Sequence, residues 1–74
     1  MEKKYCVKDV FAERLKILID ENELTVNKFS KIIGIPTSTL SDWLNKKKTP
    51  TIESVPTIAM FFKVTTDYLL GLED

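Results

Sequence analysis

The feature of this sequence that most limits its possible folds is a pair of short amphipathic segments joined by a glycine. The first segment follows Thr25, a residue type that favours helix N-caps. Its apolar residues fall at helical spacing: Val26, Phe29, Ile32 and Ile33. Gly34 accepts the left-handed backbone that ends a helix, and Pro36 suits the first turn of the next one. The sequence therefore predicts helices over 26–33 and 36–45, joined by a turn of about four residues.

The second of these segments has two sides of different chemistry. With a step of about 100° per residue, one side collects hydroxyl, amide and carboxylate groups: Thr37, Ser38, Ser41, Asp42 and Asn45. The opposite side is apolar: Leu40, Trp43 and Leu44. We predict that the apolar side packs on the preceding helix and that the polar side faces outward. The alternative interpretation is an ordinary surface helix whose polar side is merely solvated.

The segment before this pair predicts another helix, over about 10–21, with Asp9 as its N-cap. Its core-facing residues are Phe11, Leu15, Leu18 and Ile19. No stretch of strict alternation suggests a strand. The fold class is therefore predicted to be all-α, a compact bundle of five short helices, with an N-terminal arm over 1–8 and one domain over 9–74.

The last two helices are predicted from their end signals. The fourth ends near Phe62 and starts at either of two caps, Thr51 or Ser54; we favour the later start, because Pro56 then falls inside the first turn. The fifth follows Thr65 or Thr66 and ends at Gly71. We expect three leucines of this last segment to close the core: Leu69, Leu70 and Leu72.

Composition excludes several functions. The 74 residues fit a single domain with modest stability. Cys6 is the only cysteine and histidine is absent, so no internal disulfide is possible and the commonest metal ligand is missing. We expect no cofactor, no metal and no enzyme activity, since paired carboxylates and a glycine-rich phosphate loop are also missing. No apolar run suits a membrane span or a secretory signal, which predicts a cytoplasmic protein. Cys6 is then a part-buried apolar residue or, alternatively, a redox switch.

The charge is unevenly distributed although the net charge is zero. Residues 25–48 contain five lysines and one aspartate, a net charge of +4, which leaves −4 for the rest of the chain. A basic segment in an otherwise acidic chain is typical of polyanion binding, although a solvated face has the same pattern.

The run from Leu24 to Asn45 resembles the signature of the phage-repressor and Cro type of helix-turn-helix protein, the XRE family. Ser30 stands at the small position of the family's second helix, Gly34 at its turn, and Leu40 at the buried position of its recognition helix. Pro50 and residues 58–59 and 64–71 are similar to the family's later helices, so the resemblance covers about 10–71. It implies a lambda-repressor-like fold whose helix-turn-helix is formed by helices 2 and 3.

The resemblance implies sequence-specific binding of double-stranded DNA as a transcriptional regulator, a repressor, with helix 3 in the major groove. The positions that correspond to base contacts are Thr37, Ser38, Ser41 and Asp42. Those that correspond to phosphate contacts are Thr25, Asn27, Lys28, Asn45, Lys46, Lys47 and Lys48. It also implies a prokaryotic or phage protein on the nucleoid, without a membrane or a small-molecule effector.

A homodimer is expected on such DNA, because half-sites lie about one helical turn apart. In 74 residues we expect no separate oligomerisation domain. The candidate dimer contacts are therefore in helices 4 and 5 and the tail: Phe61, Phe62, Tyr68 and Leu72. Simple core packing is the alternative role for at least two of them. The N-terminal arm either enters a minor groove or is a solvated tail.

Three departures from the family bear on its function. Val26 replaces a glutamine that usually helps to hold phosphate, and the predicted recognition helix has no arginine or glutamine to bind guanine or adenine. We therefore expect weak or water-mediated base contacts, with a contribution from DNA shape. Ile19 and Leu44 stand where members often have a buried ion pair. Replacing both charged residues by apolar ones is often neutral or stabilising, so this departure is compatible with the fold. The missing arginines also support an alternative function, a protein-interaction module such as an antitoxin or anti-repressor partner.

Overall fold

The computed structural model describes residues 6–72, which form five α-helices. Their bounds are α1, Val7–Glu21; α2, Val26–Ile33; α3, Thr37–Leu44; α4, Ser54–Phe62; and α5, Thr66–Leu70. Residues 6–72 contain no strand, so the predicted all-α class is confirmed. None of the helices in this range is long and apolar enough to cross a membrane.

α2 begins and ends where the sequence predicts. Thr25 Oγ1 accepts a hydrogen bond from the backbone N–H of Lys28 at 3.1 Å, which satisfies one of the first-turn donors. Gly34 follows the last residue with φ +80°, and its N–H donates to the carbonyl of Ser30 at 2.9 Å. The local signals therefore determine both ends of this helix.

α1 begins earlier than predicted, and Asp9 is not its N-cap. The N-cap is Cys6, which is part-buried and whose side chain makes no capping bond, while Asp9 lies within the first turn. A carboxylate in that turn is still favourable, because it faces the positive end of the helix dipole. Val7 is part-buried and lines an apolar surface cavity with Val55 and Leu70, so the first turn of the helix carries an apolar residue that faces the protein. Residues 7–8 of the predicted arm are thus helical, and 1–5 lie outside the described residues.

α4 has the late start that the position of Pro56 favours. Thr51 Oγ1 accepts a hydrogen bond from the Ser54 N–H at 3.3 Å in the turn before the helix, and Pro56 falls in the first turn. Ser54 is the first helical residue and not the cap. α5 is capped by Thr65, whose Oγ1 accepts from the Tyr68 N–H at 3.0 Å.

One core prediction at the C-terminal end is wrong. Leu69 is fully buried and Leu70 is partly buried, but the side chain of Leu72 is 65% exposed. Gly71 takes φ +82° and reverses the chain there, which turns Leu72 away from the core.

All five helices contribute side chains to the core. α1 packs against α3 and α5, and α2 packs against α3 and α4. The largest fully buried side chains come from all five helices: Phe11, Leu15, Phe29, Leu40, Ile58 and Leu69. Arg14 joins α1 to α5, since its Nη1 donates to the carbonyl of Tyr68 at 2.8 Å and its guanidinium lies 4.4 Å from the centre of the Tyr68 ring. This arrangement fixes the helices that support α3.

Candidate nucleic-acid interface

α3 has the two-sided arrangement that its sequence predicts. Leu40 and Trp43 are buried, and the Trp43 ring meets Phe11 of α1 edge to face at 5.8 Å between ring centres. Leu44 is partly buried. The polar side faces solvent, with four of the candidate contact residues exposed: Thr37, Ser38, Ser41 and Asn45. The fold therefore leaves a row of hydroxyl and amide groups uncovered by residues 6–72.

A side-chain hydrogen bond crosses the turn between α2 and α3. Ser30 Oγ donates to the carbonyl oxygen of Ile35 at 2.6 Å. Ile35 lies between the two helices, where its carbonyl has no helical partner, so the serine hydroxyl satisfies it. The resemblance assigned Ser30 only a small size, and its hydrogen bond was not predicted. The sequence signal for this bond is a serine, and not an alanine, at the small position of α2, five residues before the carbonyl that it binds.

The end of α3 places the lysine loop. Lys46 has φ +63°, its N–H donates to the Trp43 carbonyl at 3.1 Å, and the Lys47 N–H donates to the Asp42 carbonyl at 2.8 Å. These bonds close the last turn of the helix in the left-handed manner. The backbone at the start of the loop 46–48 is thus fixed directly beyond the polar side of α3.

The candidate phosphate contacts of α2 and α3 lie at neighbouring helix ends. Thr25, Asn27 and Lys28 are exposed at the N-terminus of α2. Val26 of that turn borders one surface cleft together with Asn45, at the end of α3. The fold therefore brings the two groups of candidates to one side of the molecule. Asn45 also donates from Nδ2 to Ser41 Oγ at 3.2 Å, which links a candidate phosphate contact to a candidate base contact.

The same cleft shows what replaces the family's ion pair. Ile19 and Leu44 both border it, and Ile19 is buried. Two apolar side chains therefore border one cleft where a charged pair is usual, which avoids the cost of removing two charges from water.

Two of the loop lysines contact carboxylates. Lys46 Nζ lies 3.4 Å from Glu13 Oε2 of α1, and Lys48 Nζ lies 3.6 Å from Asp42 Oδ2 of α3. Glu13 stands 33 residues from Lys46 and outside the motif, so its contact was not predictable from the local sequence. Among residues 6–72, no group of three or more acidic, histidine or cysteine side chains is placed to hold a metal ion.

Two short helices set at a glycine turn, the second with its polar side uncovered, are the arrangement that defines helix-turn-helix DNA-binding domains of the XRE type. The chain belongs to this family, since the model of the helix-turn-helix domain matches residues 12–74. The predicted family is thereby confirmed, and it is a class of DNA-binding domains and not of enzymes.

Two known proteins are similar to the chain. The first is the uncharacterized HTH-type transcriptional regulator YobD of Bacillus subtilis (strain 168), with 29% identity over 65 residues. That match covers 88% of this chain and 58% of YobD, so the chain spans little more than half of that relative. The second is the solution structure of the SOS-response transcriptional repressor LexA from Eubacterium rectale. It has a TM-score of 0.82 and 28% identity, and the match covers 100% of this chain and 76% of LexA.

Proposed function

We propose that this chain binds double-stranded DNA sequence-specifically as a transcription regulator, and that it is a repressor with α3 in the major groove. One observation carries the proposal: Ser38 and Ser41 are exposed on α3 while Leu40 is fully buried behind them. The major groove, about 12 Å wide, admits a helix whose outer side is uncovered, and hydroxyl groups bond either donors or acceptors on base edges. The names of YobD, a regulator, and LexA, a repressor, support the same function.

The residues divide into two roles in this proposal. Base edges are contacted from α3 by Thr37, Ser38, Ser41 and Asp42. Phosphates are contacted by the N-terminus of α2 and the end of α3, through Thr25, Asn27, Lys28, Asn45 and Lys46 to Lys48. The backbone N–H groups of the first turn of α2 add to this, because the positive end of a helix dipole attracts phosphate. The phosphate contacts position the protein, and the base contacts give sequence preference.

We propose further that the chain binds as a homodimer on the bacterial or phage nucleoid. Of the four candidate contacts, Phe62 stacks on Phe29 at 5.3 Å and Tyr68 lies under Arg14, so both are held by the protein's own core. Phe61 also contacts Phe29, at 5.6 Å, but is 38% exposed, and Leu72 is 65% exposed, so the uncovered parts of these two side chains are the candidate contacts with a partner subunit. Sedimentation of the free and DNA-bound protein measures the subunit number.

Selection from a pool of random duplexes with the purified protein tests the function. We expect an enriched palindromic sequence, bound by α3 of two subunits and released steeply as salt rises. Ser38→Ala should change the enriched sequence, because it removes one hydroxyl from the base-contacting side. Thr57→Val, which removes an exposed hydroxyl from α4, is the matched control and should leave it unchanged. Enrichment of no sequence, or the same sequence with Ser38→Ala, would contradict the assigned role of α3.

A second candidate function is a protein-interaction module on the same fold. Two loop lysines already have carboxylate partners, and the side chains of Ile52 and Met60 are 88% and 77% exposed. Single exposed apolar side chains are normal on a protein surface, so the paired lysines are the observation that favours this candidate. Absence of duplex binding at low salt, together with tight binding of a protein partner, would favour this candidate over DNA binding.

A further inference from the structure

Two carboxylates of the protein form ion pairs with lysine ammonium groups that a DNA phosphate would contact. Glu13 lies against Lys46 at 3.4 Å and Asp42 against Lys48 at 3.6 Å. All four side chains keep contact with water, the least exposed being Asp42 at 33%. Such pairs are weak and open readily. A phosphate that approaches the loop 46–48 therefore competes with a carboxylate of the protein for each of these lysines.

The Glu13 pair is positioned by rigid backbone on both sides. Glu13 follows Phe11 and Ala12, which are buried against the core from the middle of α1. Lys46 follows the closed last turn of α3. Lys16 borders the same cleft as Glu13 and Lys46, so a neutral side chain at position 13 would leave two lysines facing one phosphate.

We propose that Glu13 and Asp42 compete with DNA phosphates for Lys46 and Lys48, and that Asp42 thereby determines specificity. This inference rests on the proposed DNA binding. Opening either pair leaves a negative carboxylate near the phosphate backbone, which lowers affinity for any duplex. Glu13, on α1, has this effect on every sequence.

Asp42 differs because it lies on α3 among the candidate base contacts. In a site where a cytosine amino group meets it, the released carboxylate accepts a hydrogen bond that offsets the repulsion. On other sequences nothing offsets the repulsion, because Lys48 pairs with phosphate and Asp42 gains no new partner. Asp42 thus weakens binding to wrong sequences more than to the right one.

The test compares Glu13→Gln and Asp42→Asn on two duplexes, one of unrelated sequence and one enriched from the random pool. Affinity is measured by fluorescence anisotropy over a series of salt concentrations. Glu13→Gln should tighten binding to both duplexes by about two- to five-fold at low salt, the range expected from one exposed ion pair. Asp42→Asn should tighten binding only to the unrelated duplex, so that the ratio of the two affinities falls.

Two controls separate ion pairing from overall charge. Glu21→Gln makes the same charge change at an exposed position in the last turn of α1 and should have a smaller effect. In a Lys46→Met background, Glu13→Gln should have a smaller effect, because the competition for the ammonium is gone and only the repulsion between carboxylate and phosphate remains. Thermal melting of each variant verifies that it is folded.

Several outcomes overturn the inference. Equal effects of Glu13→Gln and Glu21→Gln, an undiminished effect without Lys46, or an unchanged affinity ratio in Asp42→Asn would each do so. If the unmodified protein binds duplex and the variants bind it with the same affinity, only the proposed competition between carboxylates and phosphates is rejected. If neither the unmodified protein nor any variant binds, the proposed DNA binding is rejected as well.

Discussion

Ser30 shows how much a single side chain contributes to the geometry of the interface. Its hydroxyl donates to the Ile35 carbonyl at 2.6 Å and joins α2 to the segment that leads into α3. The bond is part-buried, so water replaces it poorly. The contact between α2 and the segment that leads into α3 therefore includes a hydrogen bond that the alanine usual at this position of the family could not make.

Replacing Ser30 with alanine should keep the close approach of the helices and remove the hydrogen bond. We expect the free energy of unfolding to fall by about 1 kcal/mol, which lowers the melting temperature by about 4–8 °C in a domain of this size. Thermal denaturation followed by circular dichroism measures the change. Ser38→Ala, at an exposed site on α3, is the control and should melt like the unmodified protein. Equal stability of both variants would mean that the Ser30 bond contributes nothing.

Side-chain pairing between distant residues is what local sequence could not predict. The Glu13 to Lys46 contact joins residues 33 positions apart, and the Arg14 to Tyr68 hydrogen bond joins residues 54 positions apart. Helical periodicity gives the face on which each residue lies, but the partner depends on how the helices are assembled. In contrast, the outward orientation of Ser38 and Ser41 follows from periodicity alone, because Leu40 and Trp43 must be buried.

At the scale of the helices, a helix end was predicted correctly where the capping residue and the backbone group that it bonds are close in sequence. Thr25 and Gly34 define the ends of α2 through bonds to residues within one turn. The start of α1 was predicted wrongly, because Asp9 is a strong local cap signal but the helix begins at Val7, which is part-buried beside an apolar cavity. Partial burial of an apolar side chain is comparable in free energy to a capping preference of about 1 kcal/mol.

Gly34 allows a prediction that separates backbone strain from crowding. With φ +80°, any other residue is strained, but an added Cβ would meet no atom within 4 Å. Gly34→Ala should therefore cost only the left-handed backbone penalty, about 1–2 kcal/mol in the free energy of unfolding. Gly34→Asn should cost less, since asparagine tolerates this conformation. Chemical denaturation of the three proteins measures both differences. Equal losses for alanine and asparagine, or a loss well above 3 kcal/mol, would indicate a crowded turn instead.

At the scale of the whole molecule, the fold determines how the charges of a basic segment of 24 residues are arranged on the surface. Residues 25–48 carry a net charge of +4 in a neutral chain. Val26 and Asn45 border one cleft together with Asp20 of α1, so the N-terminus of α2 and the C-terminus of α3, which leads into the lysines 46–48, are neighbours. The existence of a basic segment was predictable from the sequence, but its assembly into one surface, and the partial neutralisation by Glu13, required the packing of α1 against α3.

Changing Lys46, Lys47 and Lys48 together to alanine tests that surface as a unit. We expect weaker binding to every duplex, enriched or unrelated, because phosphate contacts carry no sequence information. The slope of log affinity against log salt should flatten by up to about 2.7, or 0.9 for each lost phosphate contact. Stability should change little, since both ion pairs of this loop are exposed. Fluorescence anisotropy over a salt series measures the slope, and thermal melting measures the stability.

Lys63→Ala is the control for the loss of an exposed lysine outside the interface. Lys63 lies at the C-terminal end of α4, beyond both helices of the helix-turn-helix, and its replacement should leave the salt slope unchanged. Because Lys46 and Lys48 must leave carboxylates before they reach phosphate, the loop should account for less of the slope than three free lysines would. A flattening of at least about 1 but clearly below about 2.7 therefore fits competition between carboxylate and phosphate, whereas about 2.7 is the value for three free lysines. An intact slope in the triple variant would mean that the loop does not contact DNA.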